Sequence, residues 1–352
     1  MNLSIPVGCA YLRHFKAKLL RLPAILFATL IAGCGGEDPA HPMSTMAPRS
    51  DLANWCYGMF MEITAWDLLI LGIVIVAFIL AVFVFSTRVG EAGPPTSVSS
   101  DLKLEIAWTL GPALILLFIS IPTVRLIFRS QPRGPIANEL PITVVAHQWW
   151  WEFHYDDGSG VMTANELHIP AERPIRLKLV SNDVIHSFWV PRLGGKRDVV
   201  PGQVNQINLI STIPGEYYGQ CAEFCGLSHA NMRFRIFVDK PDDFAMWEKA
   251  QAAPALAPTE DTPPSRGARV FANSPCTTCH TISGVSKGYV GPDLTHIGSR
   301  TTIAAGVLAN NPKELTDWIK HPADIKPGAE MPNFGLRGDE LNDLVAYLES
   351  LK

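Results

Sequence analysis

The chain of 352 residues carries a formal net charge of −4 and is 47% hydrophobic. That length gives two or three domains at roughly one per hundred to two hundred residues, and with no block of basic residues there is no electrostatic footprint for nucleic acid. The apolar excess lies in the first third of the chain, where membrane segments would put it, and the remainder reads as soluble.

At the N-terminus a basic stretch (Arg13, Lys16, Lys18, Arg21) precedes the apolar run AILFATLIAG, too short to cross a bilayer. This is the pattern of a secretory signal, so residues 1–33 are expected to direct export. The run closes in IAGC, which resembles a bacterial lipoprotein signal and so implies that Cys34 becomes the lipid-bearing first residue of the mature chain. An uncleaved signal, or a start placed too far upstream, would leave Cys34 an ordinary thiol. Cys9 falls inside the signal, and Cys56, in the segment 34–62, has no pattern around it.

From about Ile63 to Phe85 the chain is almost purely apolar, with Trp66 near one end and Arg88 past the other, long enough for a tilted helical span. After the link STRVGEAGPPTSVSSDLK a second run extends from about Ile106 to Phe128, interrupted by Pro112, Pro122 and Arg125. Residues 63–130 are therefore expected to form a transmembrane hairpin. Arg125, Arg129 and Arg133 follow the second span while the link is nearly balanced in charge, so loop charge does not support the orientation. The export signal does: two crossings return everything after Phe128 to the outer side.

Residues 138–240 change character. LPITVVAHQWWWEFHY, NELHIPAERPIRLKLVS, HSFWVP, GQVNQINLIST and MRFRIFV are short β-branched and aromatic runs separated by Pro and Gly, the signature of an antiparallel sandwich or barrel. The stretch 241–263 is rich in Ala and Pro and reads as a linker. From 264 to 352 the periodicity is helical, and Leu341, Leu344, Val345 and Leu348 at i, i+3, i+4 and i+7 predict a terminal amphipathic helix. No internal repeat is found.

Two clusters carry the chemistry. CAEFCGLSHANM places Cys221 and Cys225 four residues apart, His229 four further on and Met232 three beyond that, so one compact loop can aim all four at one point. Thiolate, imidazole and thioether are soft ligands suited to copper, whereas a structural zinc site would supply Cys and His without Met. A disulfide, the plain reading of close cysteines in an exported protein, leaves His229 and Met232 unexplained. Blue-copper sites use one Cys; two thiolates can bridge two copper ions, and a second histidine is then wanted, for which His186 in DVIHSFWVP is the candidate. The second cluster, CTTCH, is the pattern of covalent c-type haem attachment: Cys276 and Cys279 add to the vinyls and His280 becomes an axial ligand. Met331 is the one methionine in that segment and the candidate sixth ligand, with His296 and His321 as the bis-histidine alternative.

These stretches carry a resemblance. DVIHSFWVP, PGEYYGQCAEFCGLSHANM, HQWWWEF and the preceding hairpin resemble subunit II of haem-copper cytochrome c oxidase from about Ile63 to Asp239. GARVF, CTTCH, Pro327, Met331, Pro332 and LVAYL resemble a class I cytochrome c domain. The resemblance implies a multidomain membrane protein: a two-helix transmembrane hairpin, an all-β cupredoxin-like sandwich and an all-α cytochrome c domain. It implies that the side chains of His186, Cys221, Cys225, His229 and Met232 hold a dinuclear copper centre, helped by the backbone carbonyl of Glu223. The Glu223 carboxylate would also touch magnesium where subunit I is met. Trp149 would be the residue through which electrons come in from cytochrome c, whereas packing or a membrane-interface role is the plain reading of Trp150 and Trp151. Glu105, in LEIAW, would take the place of a carboxylate at the mouth of a proton-uptake channel, although a carboxylate there is otherwise a dipole-stabilising first-turn residue.

The implied activity is that of an electron-transfer subunit. Electrons from cytochrome c, including the fused haem, would pass through the copper centre to subunit I, where oxygen is reduced to water with proton pumping. Neither centre shows an open metal position or a general base, so the chain is not catalytic alone. Expected partners are subunit I, other oxidase subunits, the membrane, and a cytochrome c or membrane cytochrome as donor. The expected location is the bacterial cytoplasmic membrane, with the copper and haem domains on its periplasmic face. A quinol-oxidising relative without copper conflicts with the intact ligand set. A nitrous-oxide-reductase-like chain conflicts with the hairpin and the haem domain. A copper-binding assembly factor has no use for Trp149 or a covalent haem.

Overall fold

A computed structural model describes residues 41–84, 100–131, 134–255, 258 and 261–352. The signal 1–33, Cys34 and most of the link lie outside the described residues.

Two long helices come first, α1 (Asp51–Val84) and α2 (Leu102–Ser130), each long and apolar enough to cross a membrane. α1 starts a dozen residues before the expected span, which corrects the reading of 34–62 as a separate segment. The cause is tertiary: the Asp51 carboxylate accepts hydrogen bonds from Leu52 N (2.7 Å) and from Ile210 N of the β-domain (2.8 Å), and Leu52 and Ala53 are buried, Leu52 in the β-domain core. α2 is capped by Asp101, whose side chain accepts from Lys103 N and Leu104 N. The two helices run side by side, with Trp66 stacked on Phe118 at 6.2 Å.

The β-domain has ten strands: β1 (Leu140–His147), β2 (Trp150–Tyr155), β3 (Met162–Ala164), β4 (Glu166–Pro170), β5 (Ile175–Ser181), β6 (His186–Trp189), β7 (Arg197–Val199), β8 (Asn205–Leu209), β9 (Gly215–Cys221) and β10 (Arg233–Asp239). They form two five-stranded sheets, β3-β2-β1-β5-β8 and β4-β10-β9-β6-β7. The sandwich is not purely antiparallel, because β4 crosses to the second sheet before β5 returns. β1 and β5 consequently pair in parallel (Val144 opposite Leu179), as do β10 and β4.

Strand alternation separates Trp150 from Trp151, while Trp149 lies in the turn before the strand. β2 alternates half-buried and buried positions, turning Trp151, Phe153 and Tyr155 inward and Trp150, Glu152 and His154 outward. Trp151 is 0% exposed and meets Phe188 and Phe234 of the opposite sheet, each at 5.4 Å between ring centroids. Burying a side chain of this kind contributes about 1.5 to 3 kcal/mol, so this layer ties β2 to β6 and β10 of the opposite sheet.

The expected linker 241–263 is shorter than read, because Pro241–Ala252 is a helix, α3. Pro241 sits in its first turn with Asp242 and Asp243, which suits the helix N-terminus. Phe244 is buried, and Trp247 stacks on His168 at 4.3 Å.

The C-terminal domain comprises α4 (Pro263–Ala272), α5 (Cys276–Cys279), α6 (Pro312–Lys320), α7 (Pro322–Ile325) and α8 (Gly338–Ser350), with two small two-stranded ribbons between them. α4 crosses α8 at Gly267, where an added Cβ would lie 1.9 Å from the Asp343 carbonyl oxygen, so only glycine permits the approach. Beside it Arg266 grips the Asp343 carboxylate through two bonds of 2.7 and 2.9 Å. Leu341, Leu344, Val345 and Leu348 are all buried on α8, as their spacing predicts.

Candidate functional site

The first site is built where β6 and β9 end together, Phe188 lying opposite Cys221. β6 opens on His186, β9 closes on Cys221, and the loop to β10 supplies Cys225, His229 and Met232. The two sulfurs of Cys221 and Cys225 are 3.8 Å apart. Around them lie His186 Nδ1 (3.9 Å from Cys221), His229 Nδ1 (3.6 Å from Cys225), Met232 Sδ (3.8 Å from Cys225) and the Glu223 carbonyl (3.2 Å from Cys221). Among the described residues, His186, Cys221 and Cys225 form the one group of His, Cys or acidic side chains whose ligand atoms all lie within 4.8 Å of one another.

Electrostatics favour a cation here. The Cys225 thiol bonds to the Cys221 sulfur, which draws the Cys221 thiol down to about 3 and pushes that of Cys225 up, so the pair gives up one proton readily and holds the second. Burial opposes the cationic form of His186, but Asp183 and Cys221 outweigh it and raise its pKa. The Asp183 Oδ1 lies 2.6 Å from His186 Nε2, leaving Nδ1 facing the sulfurs. A carboxylate on the far nitrogen is the usual support of a metal-bound imidazole. The donor set, two thiols, two imidazoles, a thioether and a carbonyl, thus fits soft copper ions.

Next to this cluster, Trp149 donates through Nε1 to the Cys225 carbonyl (2.9 Å), which also accepts from Gln148 Nε2 (2.7 Å). The same indole lines a largely apolar cavity whose other walls include Cys276, Cys279, His280 and Met331. His280 bonds through Nδ1 to the Pro292 carbonyl at 2.8 Å, which frees Nε2, and burial lowers its pKa and keeps the imidazole neutral, as a ligand must be. Cys276 and Cys279 are free thiols. The donor set fits a haem: two thiols, an imidazole and a thioether line one cavity together with apolar side chains such as Leu294, Ile303 and Leu315. Neither alternative histidine lines the cavity; His296 Nε2 bonds to the Ala253 carbonyl, and His321 faces Asp324.

Glu105 stands apart. It occupies the first turn of α2, 25 residues before Ser130 and so about 37 Å along the helix from the end nearest the β-domain. Cys34 lies outside the described residues.

Sequence reading missed three residues. Asp183, three before His186, was detectable as a carboxylate beside a candidate ligand. Lys326 is almost fully buried, its Nζ donating to the carbonyls of Trp149 (2.5 Å) and Ala304 (3.2 Å), and burial pulls its pKa down to about 7. Glu166 is buried too, and its Oε1 accepts from Thr301 Oγ1 (2.7 Å) and Thr302 N (2.8 Å). No sequence signal joined either of these to its partners.

Comparison with known proteins gives a consistent picture. The family model for the transmembrane domain of cytochrome c oxidase subunit II matches residues 56–126, that for its periplasmic domain 159–239, and that for cytochrome c 264–352. Cytochrome c oxidase subunit 2 of Alkalihalophilus pseudofirmus is 34% identical over 337 residues, 94% of this chain and 96% of its own. The protein of the same name from Bacillus subtilis is 31% identical over 364 residues, 97% and 98%. The crystal structure of the periplasmic domain of subunit II of cytochrome oxidase of Bradyrhizobium japonicum aligns at 31% identity and a TM-score of 0.32, covering 34% of this chain and 96% of that one.

Proposed function

The chain belongs to the cytochrome c oxidase subunit II family and carries a cytochrome c domain, and from that premise we propose that it relays single electrons from its haem domain, by way of a dinuclear copper centre, into subunit I. The side chains of His186, Cys221, Cys225, His229 and Met232, with the Glu223 carbonyl, would hold the copper. Cys276 and Cys279 would carry the haem, and His280 and Met331, which line the same cavity, would be its iron ligands. When bound, both groups accept and release one electron without exchanging ligands.

The chain's own residues do the positioning. Asp183 fixes the His186 ring, burial of both cysteines keeps water from the sulfurs, and Trp149 joins the Cys225 backbone to the wall of the haem cavity. That last placement is the observation that carries the proposal, because one indole touches both candidate centres. Further assignments rest on the family: oxygen reduction with proton pumping in subunit I, Glu105 at the mouth of a proton channel and magnesium at the Glu223 carboxylate; a lipid on Cys34 rests on the IAGC signal pattern. A cytochrome c or membrane cytochrome as outside donor also rests on the family, and a periplasmic placement of both domains at the cytoplasmic membrane rests on the export signal and two crossings. Optical and electron-paramagnetic-resonance spectra of the chain matured with copper and haem test the relay. A mixed-valence two-copper signal beside a c-haem band is expected; a haem band with no copper signal overturns it.

A further inference from the structure

The haem domain meets the copper domain through contacts that a loosely tethered donor would not need. Lys326, 4% exposed, spends its Nζ on the Trp149 and Ala304 carbonyls. The next residue, Pro327, accepts a 2.6 Å bond from Ser228 Oγ of the copper-ligand loop. The residue after that, Gly328, has a φ of +85°, and a Cβ there would lie 2.6 Å from Trp149 Cη2. The turn therefore lies flat on the indole only because it lacks a side chain. Away from this turn the buried Glu166 of β4 gathers the hydroxyls and amides of Thr301 and Thr302, and Arg233 N donates to the Ala305 carbonyl at 3.1 Å. Trp149 keeps only 9% of its surface exposed.

We propose that the turn Lys326-Pro327-Gly328 is a built-in dock, with Lys326 as its positioning residue, that holds the haem cavity on Trp149 permanently and reserves that indole for the chain's own haem domain. Swinging the domain away would uncover Trp149, strip the Trp149 carbonyl of its bond and open the Glu166 contacts together. Buried polar groups are held to their partners because leaving them unpaired is costly. Held so, the domain acts as a fixed neighbour of the copper centre, and the linker sets only its connection. An outside cytochrome then delivers its electron to the haem domain and not to Trp149. The proposal rests on the reading of Trp149 given above, and its test separates the two.

A protease site placed in the linker after Ala252 allows the chain to be cut in the intact, copper- and haem-loaded oxidase. The cut haem fragment is expected to remain with the complex on gel filtration. In Lys326→Met and Gly328→Val, whose haem and copper spectra should be unchanged, it should elute separately, and the haem-to-copper rate of the uncut variants should fall several-fold at unchanged potentials. Release of the wild-type fragment, or retention in both variants, overturns the dock. If the fragment is retained and Trp149→Phe leaves the rate untouched, the dock stands and the reading of Trp149 fails.

Discussion

The copper site and the haem cavity are assembled in opposite ways. At the copper site the ligand atoms already touch one another, at 3.2 to 3.9 Å, because a loop of twelve residues folds back on two strand ends of a filled sandwich. In the haem domain the donors Cys276, Cys279, His280 and Met331 line one largely apolar cavity and make no comparable side-chain contact with one another among the described residues. The first site is held by its fold and the second helps to make its fold. Removing the metal should therefore leave the sandwich standing, whereas withholding haem should leave an unfilled cavity beside the core of the other domain and weaken it.

The contrast can be broken by four experiments. Cys225→Ser has the largest expected effect: the copper signal disappears outright while the haem band and the far-ultraviolet signature of the sandwich persist. Chain matured without haem attachment should lose several kcal/mol of stability in the haem domain alone, by analogy with an unfilled core cavity, seen as a collapse of one of two calorimetric transitions. Should both transitions fall equally, the two domains do not differ as described. Gly267→Val should push α8 off α4 at a cost of about 3 kcal/mol, as overpacking does, again in the haem transition only.

The smallest effect concerns acid stability of the sandwich. Burial alone would raise the carboxyl of Glu152, but bonds from His147 (2.8 Å) and His154 (3.0 Å) outweigh it and hold it at about 2. A carboxyl lowered in the folded state stabilises above its ordinary value of 4.5 and loses that contribution as pH falls toward about 2. Glu152→Gln should remove a contribution of the order of 2 kcal/mol from neutral stability and flatten the loss between those limits. An unchanged acid unfolding curve would show that the histidines do not grip it.

Legibility in the sequence followed distance along the chain. The structure brings Cys221, Cys225, His229 and Met232 together, as their spacing in one loop led us to expect, and puts Cys276, Cys279 and His280 on one cavity with Met331. The buried face of α8 followed from its helical period. The early start of α1 and the helix at Pro241–Ala252 escaped because Leu52, Phe244 and Trp247 are anchored by the sandwich rather than by any local apolar run. Which of three tryptophans enters the core depended on the β1–β2 register, Ala146 facing Trp151. The Lys326–Trp149 bond spans 177 positions and could be seen only in the fold.

The central claim is that an electron on the haem domain reaches the copper centre across Trp149. Photoreducing the haem of the copper- and haem-loaded chain, and following both optical bands in time, tests it directly. The haem band is expected to reoxidise as the copper band bleaches, with one shared rate constant that is insensitive to salt and slower in Trp149→Phe. A haem that stays reduced beside oxidised copper would contradict it.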